Sequence, residues 1–356
     1  FAALYYIGYA VMHLPFGILY DRFGVRIILS LSVVMIIVGQ FPLIYSHSWI
    51  MVLLGRLLIG AGSSGAILAV FKIIRSNFPA HLFPKLLSSS VTIGLIGALG
   101  GGYPLQKLLT YYNWQTVQLA IIALAVILII IGLFTIPDEQ KKISNSLSFK
   151  YLMNRATLIP ILLTACIGGL MVGPMEGFAD IWGPNFLVKV YHLSPSLSAF
   201  LPSLIFIGMA VGAPFMGIWI GKTNRYDHIL KICAGVMMML FITLIYFNVT
   251  PVALYALFFI VGLMCSYQIL IIHMNNLRVD DQYAGLTSAL SNMMIMISGS
   301  IFHYVIGHSI YALNNTHSLT IFKSHNYYYE ISLTIIPIGL FIALLLLNKR
   351  KYFLFK

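Results

Sequence analysis

Residues 17–26 read Gly17-Ile18-Leu19-Tyr20-Asp21-Arg22-Phe23-Gly24-Val25-Arg26, and the stretch that starts 200 positions later reads Gly217-Ile218-Trp219-Ile220-Gly221-Lys222-Thr223-Asn224-Arg225-Tyr226. Each closes an apolar run, begins with glycine, turns through polar basic residues and leads into another apolar run. A chain that repeats such a loop at this period is built from two equivalent halves. Paired helical halves that rock about a central site are the organisation of secondary transporters.

Composition points to the same environment. The chain is 60% hydrophobic and 8% charged, with mean hydropathy +0.94. Soluble domains carry about 25% charged residues, so this composition belongs in a bilayer. Cys166, Cys233 and Cys265 each sit inside an apolar run and read as small buried hydrophobes, with no disulfide framework and no metal site. No cofactor is implied. The chain enters an apolar span at Phe1 without an initiator methionine or a signal-peptide pattern, so it reads as a fragment.

A helix needs about 20 apolar residues to cross roughly 30 Å of hydrocarbon. Eleven runs meet that length: 1–20, 26–46, 49–72, 86–106, 114–136, 157–182, 197–220, 229–247, 251–273, 284–309 and 330–347. The expected fold is an all-α polytopic membrane protein of two pseudo-symmetric six-helix halves, with the first helix missing. The N-terminal half covers 1–137, a cytoplasmic linker 138–156 and the C-terminal half 157–356. The offset places 197–220 on 1–20 and Gly262 on Gly62, whereas 157–182 maps before the start of the chain. The visible spans are therefore numbered two to twelve.

Lysine and arginine set the orientation. With the 17–26 loop in the cytoplasm, only Lys107, Lys189 and Lys323 fall on the far side and Arg56 within a span; the other basic residues, including Lys349, Arg350, Lys351 and Lys356 of the tail, are cytoplasmic. The net charge of +12 then reflects topology and requires no nucleic-acid partner. The expected setting is a bacterial cytoplasmic (inner) membrane, with the chain a monomer in the lipid bilayer and its C-terminus cytoplasmic.

At these residues the chain resembles the major facilitator superfamily. Its signature loop between helices two and three has the form Gly-x-x-x-Asp-Arg/Lys-x-Gly-x-Arg/Lys, matched by Gly17, Asp21, Arg22, Gly24 and Arg26. The second copy keeps Gly217, Lys222 and Arg225, but Gly221 stands where the family has Asp. Gly55-Arg56-Leu57-Leu58-Ile59-Gly60 is similar to the Arg-x-x-x-Gly pattern of helix four. The glycines at 94, 97 and 100–102 loosely resemble an antiporter motif but lack its Gly-Pro ending. A narrower likeness joins Gly173-Pro174-Met175-Glu176-Gly177-Phe178-Ala179-Asp180-Ile181-Trp182-Gly183 to bacterial relatives of the lysosomal dipeptide transporter branch. The resemblance implies a gating loop in which Asp21 locks helices two and eleven while the outside is open. A carboxylate at a helix end can complement a neighbouring helix dipole, and Gly17 would permit close helix approach.

Ionisable groups inside a bilayer cost about 2.5–3.5 kcal/mol on insertion scales, which makes each a functional candidate. Glu176 and Asp180 are the acids within a span, four residues apart and so expected on one helical face. Arg56 is the basic residue deep in a span, about 10 Å from its end, and Glu176 is about 9 Å deep. The resemblance places both on cavity-lining helices. Arg56 and Glu176, with Asp180 as alternate, are expected to form a charge pair that breaks and reforms during transport. A carboxylate beside arginine is held ionised, and separation into a dry site favours its protonation. Asp180 also reads as a solvated rim residue, Glu176 as a structural acceptor, and Arg56 as a direct ligand of a substrate carboxylate. Ser63, Ser64, Tyr267, Gln268 and Asn292 are candidate cavity residues, though such groups also join helices. His13, His273 and His303 read as packing histidines, and Asn275 and Asn276 as helix caps.

The expected function is secondary active transport of a small polar organic solute by alternating access: proton-coupled uptake of an amino acid, peptide or organic acid. The alternatives are a proton-independent facilitator and a non-transporting membrane sensor. Neither His-Glu-x-x-His nor Gly-x-Ser-x-Gly occurs, and no histidine cluster has ligand spacing, so an enzyme is not expected.

Overall fold

Apolar runs in lipid form helices because each backbone N–H and C=O must be satisfied within its own segment. The computed structural model describes residues 2–79, 83–136, 155–222, 225–279, 283–315 and 327–349. The expected linker 138–156 therefore lies almost wholly outside the described residues. The helices run in the order α1 (Ala2–Phe23), α2 (Val25–Tyr45), α3 (Trp49–Asn77), α4 (Phe83–Gly100), α5 (Tyr103–Tyr111), α6 (Trp114–Thr135) and α7 (Arg155–Leu170). A π-helix (Gly173–Trp182) follows, then α8 (Gly183–Lys189), α9 (Pro195–Lys222), α10 (Tyr226–Tyr246), α11 (Pro251–Cys265), α12 (Tyr267–Asn276), α13 (Ala284–Asn315), α14 (Tyr327–Leu333) and α15 (Ile335–Asn348).

Local chemistry sets several boundaries. Asn113 caps α6 by accepting from the Thr116 N–H at 2.8 Å, and Thr250 caps α11, with Pro251 at its first position. Gly24 separates α1 from α2 with φ 79° and ψ 164°, a left-handed backbone that an L side chain would strain.

Among the described residues, nine helical stretches are long and apolar enough to cross a membrane, or ten if one bent pair counts as a span. The expectation was eleven. The run 86–106 is divided between α4 and α5, because Gly100, Gly101 and Gly102 weaken the helix and Pro104 has no N–H to continue it. The run 157–182 is the bent pair, Thr157–Leu170 and Gly173–Lys189, at 41°. The run 251–273 extends to Asn276 and is interrupted at Ser266.

The helices pack as two compact units, neither of them a continuous stretch. The first holds Phe1–Ser90, Leu108–Ala165 and Asn275–Ser300; the second holds Val91–Lys107, Cys166–Met274 and Ile301–Lys356. Lipid is as apolar as leucine, so close packing at small residues draws membrane helices together. In the first unit, a Cβ added to Gly8 would strike the Leu57 carbonyl, and one added to Gly60 would strike the Tyr5 carbonyl, joining α1 to α3. In the second, Gly208 and Gly262 face each other, and a Cβ on either would strike Phe259 O or Ile205 O, joining α9 to α11. Gly8 and Gly208 are 200 positions apart, so the repeat period recurs in how each unit is packed. The second unit also holds an aromatic knot: Phe178 meets Phe186, Phe241 and Phe258 at centroid distances of 5.3–5.9 Å.

Candidate functional site: two interrupted helices and a buried carboxylate

The broken spans of the second unit meet. At the bend, Val172 N–H bonds to Gly169 O and Met171 N–H to Gly168 O, both at 3.2 Å, so the Gly168 carbonyl loses its regular helical partner four residues on. Tyr267, the first residue of α12, donates its hydroxyl to that carbonyl at 2.7 Å. The Ser266 break and the Met171–Val172 bend are thereby tied together. Interrupted helices beside a binding site are a recurring transporter device.

Beyond the bend the chain winds as a π-helix. Its closing bond runs from Gly183 N–H to Phe178 O, five residues back. Gly173 and Gly177 admit Phe302 against the backbone, and Pro184 withholds an N–H. Short π segments are rare and concentrate at functional sites. Glu176 and Asp180 are four residues apart, close to one π turn, yet their environments differ. Glu176 is 9% exposed, while the Asp180 side chain is 43% exposed. Glu176 lies within electrostatic reach of Cys265 and Tyr267. Gln268 is buried, its Nε2 4.0 Å from the Met175 sulfur. Three residues expected at the site, Glu176, Tyr267 and Gln268, thus belong to one unit and gather near the two breaks.

Asp180 has a partner that the sequence did not show. Nε2 of His303, on α13, stands 3.8 Å from Asp180 Oδ2, and the imidazole is 1% exposed. The histidine had read as a packing residue. The signal was its position four residues before Gly307, against which the Trp182 ring rests.

The remaining candidates belong to the first unit. Arg56 is half-buried on α3. Ser63 and Ser64 donate to the Ile59 and Ala61 carbonyls of their own helix, at 2.9 and 2.7 Å. Asn292 donates to Tyr9 Oη at 3.3 Å and lies 3.5 Å from His13 Nε2; His13 is buried and stacks on Tyr9. Asn275 is no cap: it is buried and donates to Ile161 O and Ser291 Oγ. Asn276 likewise donates to Ser288 Oγ at 2.9 Å. Arg278 donates to Pro160 O, Thr164 Oγ1 and Asn275 Oδ1 at 2.6–2.9 Å. Sequence reasoning missed this clamp, because its acceptors are mostly carbonyls and hydroxyls far away in the chain.

In the loop motif, a Cβ added to Gly17 or Gly217 meets nothing within 4 Å, so the close approach expected at Gly17 is not made there. The backbone of Asp21 lies in the last turn of α1 and that of Lys222 ends α9; Arg22 and Arg225 are exposed and Arg26 is half-buried. Above the loop, Phe16 and Tyr20 pack with Val25, Leu68 and Ala289, the last from α13. Tyr20 donates to Gly65 O at 2.8 Å. Among the described residues, no group of three His, Cys, Asp or Glu side chains is placed to hold a metal ion.

Many apolar helices, two of them interrupted at a buried carboxylate, define a multi-span membrane protein with the construction of a secondary transporter. Residues 1–303 match the Major Facilitator Superfamily. The chain belongs to that family, whose members are membrane transporters and not enzymes. An uncharacterised transporter of Buchnera aphidicola subsp. Schizaphis graminum is 23% identical over 257 residues, 71% of this chain and 62% of that protein. A nitrite extrusion protein of Bacillus subtilis is 26% identical over 193 residues, 52% of this chain and 46% of that one. The match thus spans about half to three-fifths of these relatives' lengths. The fold is similar to that of a D-xylose-proton symporter, with TM-score 0.69, 16% identity, and 97% of this chain and 85% of that one covered. It is also similar to the E. coli fucose:proton symporter, with TM-score 0.59, 18% identity and coverage of 96% and 89%. A nucleoside transporter gives TM-score 0.70, 13% identity and coverage of 97% and 90%.

Proposed function

We propose that the chain carries out proton-coupled secondary transport of a small polar organic solute, an amino acid, peptide or organic acid, by alternating access between two halves divided at 138–156. The observation that carries this reading is Glu176, a buried intramembrane carboxylate on a π-helix between two tied helix breaks. A carboxylate kept inside a bilayer is costly and marks an ion or substrate path. Two proteins of similar fold are proton symporters by name, which supports coupling by analogy of fold alone.

In this reading Glu176 takes a proton when it is separated from a cation, and Arg56 supplies the cation in one stage of the cycle or binds a substrate carboxylate in another. Asp180 is the alternate acid. The 17–26 loop, with its intact Asp21, acts as the cytoplasmic latch in a bacterial inner membrane, and the 217–226 copy is the weaker of the two. The dipeptide-branch likeness rests on residues 173–183 alone, whereas the comparisons carry the superfamily.

The test begins with a thermal-shift screen of amino acids, dipeptides and organic acids on purified protein, with sugars and nitrite included. Uptake of the stabilising solute into liposomes is then compared with and without an imposed pH gradient. Glu176→Gln should abolish gradient-driven accumulation yet retain counterflow exchange. Accumulation in the variant with unchanged pH dependence sinks the coupling role. Wild-type uptake indifferent to the gradient makes the chain a facilitator.

A further inference from the structure

We propose that Asp180 and His303 form a proton-holding pair that fastens the end of the π-helix to α13. Three features of the second unit carry the inference. The first is the approach of Nε2 to Oδ2, at 3.8 Å, with a 1% exposed imidazole facing a 43% exposed carboxylate. One partner is open to protons and the other is shielded from water. The second is the seam around the pair. Gly173 and Gly177 admit Phe302, the residue before His303, and Trp182 rests on Gly307, one turn beyond it. The third is exposure: Asp180 is 43% exposed, whereas Glu176, four residues earlier on the same π-helix, is buried.

The chemistry is the exchange of one proton with water. Unprotonated, the pair is a carboxylate beside a neutral imidazole, with net charge −1. A proton reaching Asp180 and held by the Nε2 lone pair gives an imidazolium facing the carboxylate, with net charge 0. Opposite charges at this separation attract, and the buried imidazole side is poorly screened, so the loaded pair holds the π-helix against α13. Loss of the proton removes that attraction and lets the seam at Gly173, Gly177 and Trp182 part. Proton occupancy would thereby set how the broken helix is held. The described elements around this seam also carry Glu176 on the π-helix, Lys189 on α8, Tyr255 and Cys265 on α11, Tyr267 at the start of α12, and Tyr304 and His308 on α13. The last two stack on each other at 5.8 Å, and α15, which packs on the π-helix, carries none.

The use of the pair in transport rests on the function proposed above; the pair itself does not. The test uses the full chain, 15N-histidine-labelled and held in lipid nanodiscs, with the His303 resonance assigned by its loss in His303→Gln. In the wild type, His303 should titrate between about pH 4 and about pH 9. In Asp180→Asn it should bind its proton about tenfold less tightly, the effect of losing a neighbouring opposite charge. Asp180→Glu, which keeps the charge, should restore most of the affinity. A His303 resonance that does not titrate, or one that titrates identically in wild type and Asp180→Asn, overturns the proposal. Gradient-driven uptake is read separately: an intact Asp180–His303 titration in a protein without such uptake refutes the coupled-transport reading and leaves the pair standing.

Discussion

The hydroxyl of Tyr267 donates to the carbonyl of Gly168 over 2.7 Å, joining residues 99 positions apart at the points where their helices break. Each break would otherwise leave backbone groups exposed to a solvent that offers no hydrogen bonds. Tyr267→Phe keeps the ring and removes the donor. Because Tyr267 is fully buried, the cost should be about 1–3 kcal/mol, read as a lower thermal unfolding midpoint in detergent. An unchanged midpoint would mean that the bond contributes nothing.

The glycines divide into two kinds that a motif search does not separate. Gly8→Leu and Gly208→Leu place a side chain against backbone oxygens that cannot move aside. Each should cost about 1–3 kcal/mol or more as an overpacked site. Gly17→Ala meets open space on a helix and should be neutral, or stabilising by up to about 1 kcal/mol. A Gly17→Ala protein that unfolds earlier than Gly8→Leu would reverse this ranking.

Arg278 joins α7 to the end of α12 through Pro160 O, Thr164 Oγ1 and Asn275 Oδ1. Arg278→Ala should lower stability by about 1–3 kcal/mol. Arg278→Lys should recover little, because an ammonium does not reproduce the planar fork of donors. Full rescue by lysine would reduce the clamp to a simple charge effect.

Tyr191 lies outside the spans, and its hydroxyl donates to Leu244 O at 2.7 Å, with Phe247 O at 3.1 Å. Burial raises its phenol above the ordinary value; a backbone hydrogen bond at Val249 opposes this, and the Glu330 charge adds to it. The folded form therefore keeps a proton that the unfolded chain releases first. That contribution is complete below about pH 10 and is lost as pH rises through the folded phenol's range. Thermal midpoints followed from neutral to strongly alkaline pH should fall less steeply for Tyr191→Phe than for wild type. Parallel curves would exclude the contribution.

The sequence by itself determined the class of the molecule. Apolar run length, the basic loops and the 17–26 motif are local properties that the bilayer enforces one segment at a time. They gave the helical membrane fold, the family and Glu176 as the acid to examine. The paired glycines Gly8 and Gly208 also carry the 200-residue repeat, because a close helix crossing requires the missing side chain wherever it occurs. Tertiary structure decided the rest. Gly173, Pro174 and Gly177 showed that the helix would weaken there, but not that it would wind as a π-helix or that Asp180 would meet His303. There the π-helix packs on α13, with Phe302 against Gly173 and Gly177 and Trp182 against Gly307. His303, Tyr267 and Arg278 acquire their partners from segments about 100 or more positions away. A hydrogen bond to a backbone carbonyl leaves no mark on the residue that supplies the acceptor, so only the folded chain reveals which histidine meets a carboxylate and which helix break is tied to which.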